Sequence, residues 1–385
     1  MNKDIEMNIN FERLTQFRRK LHQNPELSGH ESWTAKQLVE ELKKCEPDQI
    51  WTHVGGHGVV AAFDSGFDGP KVMLRADMDA LPIQEVNTFE YRSKFQNVSH
   101  KCGHDGHSTI LLGVAQFLQQ QPPKKGKVLL LFQPAEENGE GARAVIEDEK
   151  WQEMQPDYVF ALHNLPGFPL GQIVVKPNTF TASVNSLIIH LKGKTSHAAE
   201  PEHGLNPALA LAKIIEQVLK LANNDAEDEA MRVITVVHIH LGELAYGISA
   251  GQGSLHLTLR CWNDEHLEKL EKDIRETAKK NALEERLEVS FEETQRFHAN
   301  QNDAEAVTWV RKAAQAANLD LLDKKMPFKW GEDFGLFTAK YPGCMFGLGG
   351  GESLPALHNP DYDFPDEITP SGVQIFTQII NQILN

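Results

Sequence analysis

The sequence predicts an α/β fold: a mixed, largely parallel sheet flanked by helices, with an inserted ferredoxin-like α+β domain. Three observations carry this. Up to about Phe180, short apolar runs bounded by Gly and Asp alternate with segments of helical spacing, the pattern of parallel βαβ units. From there the order becomes strand–helix–strand–strand–helix–strand, that of a split βαβ unit. After Asn302 the α/β character returns. The chain therefore reads as one domain of residues 1–180 and 297–385 with an insert of residues 181–296. At roughly 150 residues per domain, its 385 residues suit two domains or three.

The elements follow in order. FERLTQFRRKLHQNPELS has helical spacing from Phe11 and stops near Pro25. A second helix fits ESWTAKQLVEELKKC, up to Cys45. Two apolar runs, GVVAAFDSG and KVMLRADMDALP, flank the turn signal FDGP. STILLGVAQFLQQQ is a helix from Ser108, closed by Pro122-Pro123. KVLLLF lacks alternation and has the length of a strand buried on both faces. A helix through ARAVIEDEKWQEM and a strand DYVFAL ending at His163 complete this stretch. In the insert, SVNSLIIHLKG, MRVITVVHIHLGEL, GSLHLTLRCW and RLEVSFEETQ read as strands. NPALALAKIIEQVLKLA and EHLEKLEKDIRETAKKNAL read as its helices. The chain closes with a helix at AEAVTWVRKAAQAAN, a strand at CMFGLGGG and a helix at SGVQIFTQIINQIL.

Composition narrows the partners. Hydrophobic residues at 41% and charged residues at 24% are ordinary for a globular chain, which excludes disordered and fibrous classes. Lys and Arg number 38 against 54 Asp and Glu, a net charge of −16. Nucleic acid and anionic membrane are poor partners for such a surface. No apolar run approaches the roughly 20 residues of a membrane helix. The opening MNKDIEMNINFERL lacks the apolar core of a signal peptide, so the expected location is the cytoplasm. The four cysteines are widely spaced and suggest no disulfide framework.

Polar clusters follow the apolar runs. Asp77 and Asp79 follow KVMLRA, Glu136 and Glu137 follow KVLLLF, His163 follows DYVFAL, and His358 follows MFGLGGG. In open α/β sheets ligands bind beyond the carboxyl ends of the strands, so these residues are expected at one edge. In S-H-K-C-G-H-D-G-H, Cys102 and His104 are two apart, which lets a thiolate and an imidazole reach one metal. The second pair that structural zinc requires is absent, so a mixed N, S and O set would be of the catalytic kind. The same segment also reads as a His-rich surface loop, or as a Cys–His pair for covalent catalysis. The carboxylates and imidazoles at the other strand ends favour metal over the thiol. Glu136 and Glu137 in extended chain would point to opposite sides, one toward a metal and one toward the attacking water. Without the preceding buried strand, such a pair reads better as solvated surface. Asp77 and Asp79 share one side of an extended segment, where either can orient a ligating imidazole or cap a turn. GxSxG, Walker A and GxGxxG are all absent, and GLGGGE has the wrong spacing for the last.

Seven motifs stand in a familiar order: RRKLHQNPELSGHE, MLRADMDALPIQE, HKCGHDGHSTILLG, LLFQPAEE, ALHNLPGFPLG, GKTSHAAEP and LHNPDYDFPDE. Through them the chain resembles, from Phe11 to its C-terminus, the M20 metallopeptidase and amidohydrolase family. The resemblance is to the branch that acts on N-acyl amino acids, hippurate and indole-acetyl amino acids. It implies a zinc-exopeptidase-like fold whose insert is a lid and dimerisation domain. It implies two divalent metal ions per subunit. Cys102 would bridge them, in the place of a carboxylate in related branches, and His104, Glu137, His163 and His358 would be the other ligands. Zn or Mn is expected, and Co or Ni also suits such donors. Glu136 matches the general base toward the attacking water, and Asp79 matches the Asp that orients a ligand. The position two before it, a His ligand in related branches, is Asp77 here. His197 matches a His that stabilises the tetrahedral oxyanion and that, in relatives, reaches a neighbouring subunit's site. That implies a homodimer.

The implied activity is hydrolysis of the amide bond of small N-acyl amino acids or related amides. The alternatives are a dipeptidase or aminopeptidase on the same dimetal site, or a non-catalytic binding protein on a hydrolase fold. The substrate side departs from the family pattern. Gly247 and Ala250 stand where relatives carry Asn and Pro, and Gly331 stands where they carry Ser. Arg260 can pair with a substrate carboxylate, or can simply face solvent from its strand.

Overall fold

The computed structural model of the chain describes residues 9–385. The polar opening MNKDIEMN lies outside the described residues. The chain splits into two compact units. The first takes in residues up to Phe180, Asn300–Lys325 and Asp333–Asn385, and the second Thr181–Ala299 and Met326–Glu332.

The first unit is built on an eight-stranded sheet. Its order is Gln49–Val54, Gly58–Asp64, Lys127–Gln133, Lys71–Asp77, Tyr158–Pro166, Gly343–Gly351, Ile173–Val175 and Leu321–Asp323. The four middle strands, Lys127–Gln133 through Gly343–Gly351, run parallel. Their apolar runs are buried without alternation, as central strands covered on both faces require. Val72, Leu74, Leu130, Phe132, Phe160 and Phe346 of the sheet share one core with Leu14, Leu111, Val310 and Ile379 from four helices. Each such buried side chain contributes about 1.5–3 kcal/mol, which fixes the strands whose ends carry the polar clusters.

Several boundaries differ from expectation. Gln49–Val54 is an edge strand that sequence reading passed over, because it mixes polar and apolar residues and half of them are exposed. Ile173–Val175 and Leu321–Asp323, three residues each, are too short for a periodic signal. The strand expected to end at His163 continues to Pro166. The helix expected over residues 142–154 breaks into Gly141–Glu147 and Trp151–Met154. Asp148 sits at the break in extended conformation and accepts from the Gly55 and Lys150 N–H groups at 2.8 and 2.9 Å. The helix expected from Ser108 begins at His104, directly after Gly103 at φ +93°.

The second unit holds a four-stranded antiparallel sheet in the order Arg232–Leu241, Gln252–Cys261, Ser183–Lys192, Glu288–Phe297. Helices Ala208–Leu219 and Asp264–Glu284 pack Ile214, Val218, Leu267 and Ile274 into one core with Leu187, Leu257 and Leu259. This is the arrangement of a split βαβ unit. Asn263 caps the longer helix by accepting from the His266 N–H at 2.8 Å.

Helix Phe11–His22 carries charge into the first unit's interior. Arg18 is buried against Asp105, Asp363 and Asp366. His22 Nδ1 lies 2.8 Å from Asp105 and Nε2 lies 3.1 Å from Glu85. Burial alone would depress the His22 pKa, but the hydrogen bonds to Asp105 and Glu85 win and push it from 6.5 to about 9. A raised histidine stabilises the fold fully below its unfolded pKa, and that contribution is lost as pH rises through the folded value. The thermal unfolding midpoint is therefore expected to fall between pH 6.5 and about 9, with a shallower fall in His22→Gln. Equal slopes in the two proteins would show that His22 is not the group responsible.

Candidate metal centre

The parallel strands of the first unit bring the expected residues to their carboxyl edge. Asp77 is the last residue of Lys71–Asp77, and Glu136 and Glu137 lie in the turn after Lys127–Gln133. His163 lies near the end of Tyr158–Pro166, and His358 lies in the segment after Gly343–Gly351. Cys102 and His104 sit at the start of helix His104–Gln120. A Cβ at Gly103 would come within 2.7 Å of Asn164 Oδ1, and its φ is positive, so glycine alone fits between the two.

Cys102, His104 and His163 place their donor atoms within 4.8 Å of one another, and so do Cys102, Glu137 and His358. Cys102 belongs to both groups. Its Sγ lies 3.5 Å from His163 Nε2. His104 Nε2 lies 3.7 Å from Glu137 Oε1, and His358 Nε2 lies 3.8 Å from the same oxygen. Two ligands bound at about 2.0–2.3 Å to one cation stand roughly 3.5 Å apart, so these separations fit shared coordination better than direct hydrogen bonding. His104 Nε2 and Glu137 Oε1 are buried and find no hydrogen-bond partner among the described residues. Buried polar atoms are seldom left this way, and a cation between them satisfies both. The donor set of one thiolate, three imidazoles and a carboxylate fits divalent transition metals.

The imidazoles are held from behind. His104 Nδ1 meets the Asp79 carbonyl at 3.0 Å and its carboxylate at 3.2 Å. Asp79 is itself fixed by the Ser28 hydroxyl at 2.7 Å and by the Glu137 N–H at 3.0 Å. His163 Nδ1 donates to the Asn164 carbonyl at 2.8 Å. Each contact leaves Nε2 of the ring facing the cluster, the arrangement that fixes a ligating tautomer.

The electrostatics call for positive charge. Burial pushes the Glu137 carboxyl up to about 8; His104 opposes this, while Asp79 and Asp77 add to it. Burial opposes protonation of His104, but Asp77, the Asp79 hydrogen bond and Glu137 outweigh it and raise its pKa to about 10. Burial, then neighbouring His107, holds His163 well below its usual value, and burial, then His104, lowers His358. A divalent cation supplies the charge that the carboxylates otherwise draw from protons.

One expectation changes here, and another gains detail. Glu136 and Glu137 do not point to opposite sides: Glu136 Oε2 lies 4.0 Å from His104 Nε2, beside Glu137. The segment is a turn, not extended chain, with Ala135 at φ +54° and its N–H bound to Glu31 Oε1 at 2.8 Å. The two aspartates also divide their work, Asp79 behind His104 and Asp77 behind His107. Asp77 lies 2.6 Å from His107 Nδ1 and accepts from Arg75 at 2.7 Å. His107 Nε2 meets Asn164 Oδ1. His107, three residues after His104 on one helix, was the supporting residue that sequence reading missed. Asp333 was another: it accepts from Arg75, Gln133 and the Ala142 N–H.

His197 and Arg260 belong to the second unit. His197 Nδ1 accepts from the Ala199 N–H at 3.1 Å, which leaves the ring proton on Nε2. Ile248, next to Gly247, pairs with His197. Arg260 donates to the Lys329 carbonyl at 2.8 Å. A side chain added at Gly247 meets nothing within 4 Å, whereas at Gly331 it would press on Val184 and Phe297 at 2.9 and 3.0 Å. The absence of a serine at 331 thus has a packing reason, and the absence of an asparagine at 247 has none.

A sequence model of peptidase family M20/M25/M40 matches residues 73–382. The chain belongs to this family. It is a metal-dependent amidohydrolase of the M20 group. It is 30% identical to the hippurate hydrolase of Campylobacter jejuni over 368 residues, which cover 94% of each chain. It is 31% identical to the N-acetyldiaminopimelate deacetylase of Enterococcus faecalis, over 97% of this chain and 98% of that one. The solved Bacillus subtilis YXEP protein, a dinuclear metal-binding peptidase of the M20 family, superposes with a TM-score of 0.82 at 29% identity. That likeness covers 97% of this chain and 98% of the other. No helix among the described residues is long and apolar enough to cross a membrane.

Proposed function

We propose that this M20 amidohydrolase cleaves the amide bond of small N-acyl amino acids, using two divalent ions that share Cys102. The observation that carries the reading is the membership of Cys102 in two donor groups, one with His104 and His163, the other with Glu137 and His358. Bound there, such ions would lower the pKa of water toward neutrality and polarise the substrate carbonyl. Zinc suits the thiolate and imidazoles, and manganese, cobalt or nickel suits the carboxylate as well.

The chain's own residues do the rest. Glu136, buried at the rim of the cluster, takes the proton of the attacking water and returns it to the leaving amine. Asp79 holds His104 in its ligating tautomer. His197 offers Nε2–H to the developing oxyanion. Arg260 pairs with the substrate carboxylate, a role supported by its seat on a strand of the same unit as His197. The names of the relatives, a hippurate hydrolase and a deacetylase, favour a blocked N-acyl substrate over a free peptide. A comparison of N-acyl amino acids with the corresponding free dipeptides tests this. Faster turnover of the dipeptides would replace it with a peptidase.

We further propose a homodimer formed through the second unit. Arg232–Leu241 is an edge strand of its sheet, and Val237, Ile239 and Leu241 on it are exposed, as are Leu244 and Tyr246 beyond it. An exposed apolar edge strand is a template for pairing with a second copy. Sedimentation is expected to give twice the chain mass, and Ile239→Lys to lower it to one. A monomer at every concentration of the unaltered protein would contradict this.

A further inference from the structure

We propose that Lys101 is a positioning residue of the metal centre, clamping the segment that carries His358 onto the loop that carries Cys102. The proposal rests on the reading of Cys102 and His358 as ligands. Lys101 is fully buried, where lysine is rare unless paired. Three contacts of this one residue hold the joint. Its Nζ donates to Glu85 Oε1 at 2.6 Å and to the Tyr362 carbonyl at 2.7 Å. Its own carbonyl accepts from the His358 N–H at 2.8 Å. The next residue is Cys102. Glu85 is anchored in turn by the Ser93 N–H at 2.6 Å and by His22. The clamp therefore has a fixed base.

His358 needs such a clamp. Its φ is +67°, a conformation costly for a residue other than glycine, and its side chain is half exposed. Packing alone does not hold it. His104 and His163 are secured differently, by Asp79 and by the Asn164 carbonyl. Loss of Lys101 is therefore selective. It loosens the ion held by Cys102, Glu137 and His358 and spares the ion held by Cys102, His104 and His163. A lysine that merely supported the fold would show no such preference.

Cobalt(II) titration of the stripped full-length protein, read by equilibrium dialysis and visible absorption, tests this. Lys101→Met is expected to weaken one of the two ions about 10- to 100-fold, the range for residues that support metal ligands. The other ion should stay within about threefold. Lys101→Arg, which keeps donors for Glu85 and the Tyr362 carbonyl, is expected to recover most of the loss. If Lys101→Met fails to fold, Glu85→Gln is titrated instead and should loosen the same ion. Equal weakening of both ions, or of neither, overturns the clamp. His358→Ala separates the two readings. If it leaves both ions tight, the assignment of His358 as a ligand has failed, whatever Lys101 does.

Discussion

Glu136→Gln is expected to keep its full metal content and to lose turnover by about a hundred- to ten-thousand-fold, the range of a removed general acid–base group. The amide matches the carboxylate in size and fits the same buried rim. It cannot accept the proton of the attacking water. The donor atoms of Cys102, His104, Glu137, His163 and His358 are untouched by the change, so binding of the ions should persist. The measurement is metal per chain together with kcat and KM on one N-acyl amino acid. A fall in kcat with KM and metal content held is the expected pattern. High retained turnover would remove Glu136 as the base. Loss of metal would recast it as a ligand.

Cys102→Ala is expected to lower bound metal below two ions per chain and to abolish most activity. The effect should exceed that of losing any other single ligand, because Cys102 alone belongs to both donor groups with the other four. Cys102→Asp is the informative companion, since a carboxylate can also bridge two cations. It is expected to restore metal content, though with a different preference among metals. Metal analysis after dialysis checks both variants. Unchanged stoichiometry in Cys102→Ala would take Cys102 out of the ligand set.

Much of this site was legible before the structure. Buried parallel strands announce themselves as unbroken apolar runs, and polar residues at the end of such a run or in the segment that follows it are expected near the sheet's carboxyl edge. That placed Glu137, His163 and His358 together without knowledge of the turns between. The insert was legible because its half-exposed strands and apolar-faced helices keep their own periods. The features that escaped depend on tertiary context. Gln49–Val54 lies at an edge and mixes Ile50, Trp51 and Val54 with Gln49, Thr52 and His53, so it shows no unbroken apolar run. The direction of Glu136 was misjudged because the left-handed Ala135 turns the chain, and nothing in Q-P-A-E-E announces a positive φ at alanine. His107 was passed over because its role appears only once helix His104–Gln120 is seen to start four residues earlier than expected, facing Asp77. Lys101 carries no signal of its own in the sequence, because its role depends on its burial between Glu85 and Tyr362.

The central claim is that one bridging thiolate serves two metal ions in amide hydrolysis. Metal content per chain, measured alongside hydrolysis of a small panel of N-acyl amino acids before and after chelation, tests it most directly. The account predicts two ions per chain and release of free amino acid that stops on chelation and returns with added metal. A folded protein that carries no metal, or one whose hydrolysis survives complete chelation, would contradict it.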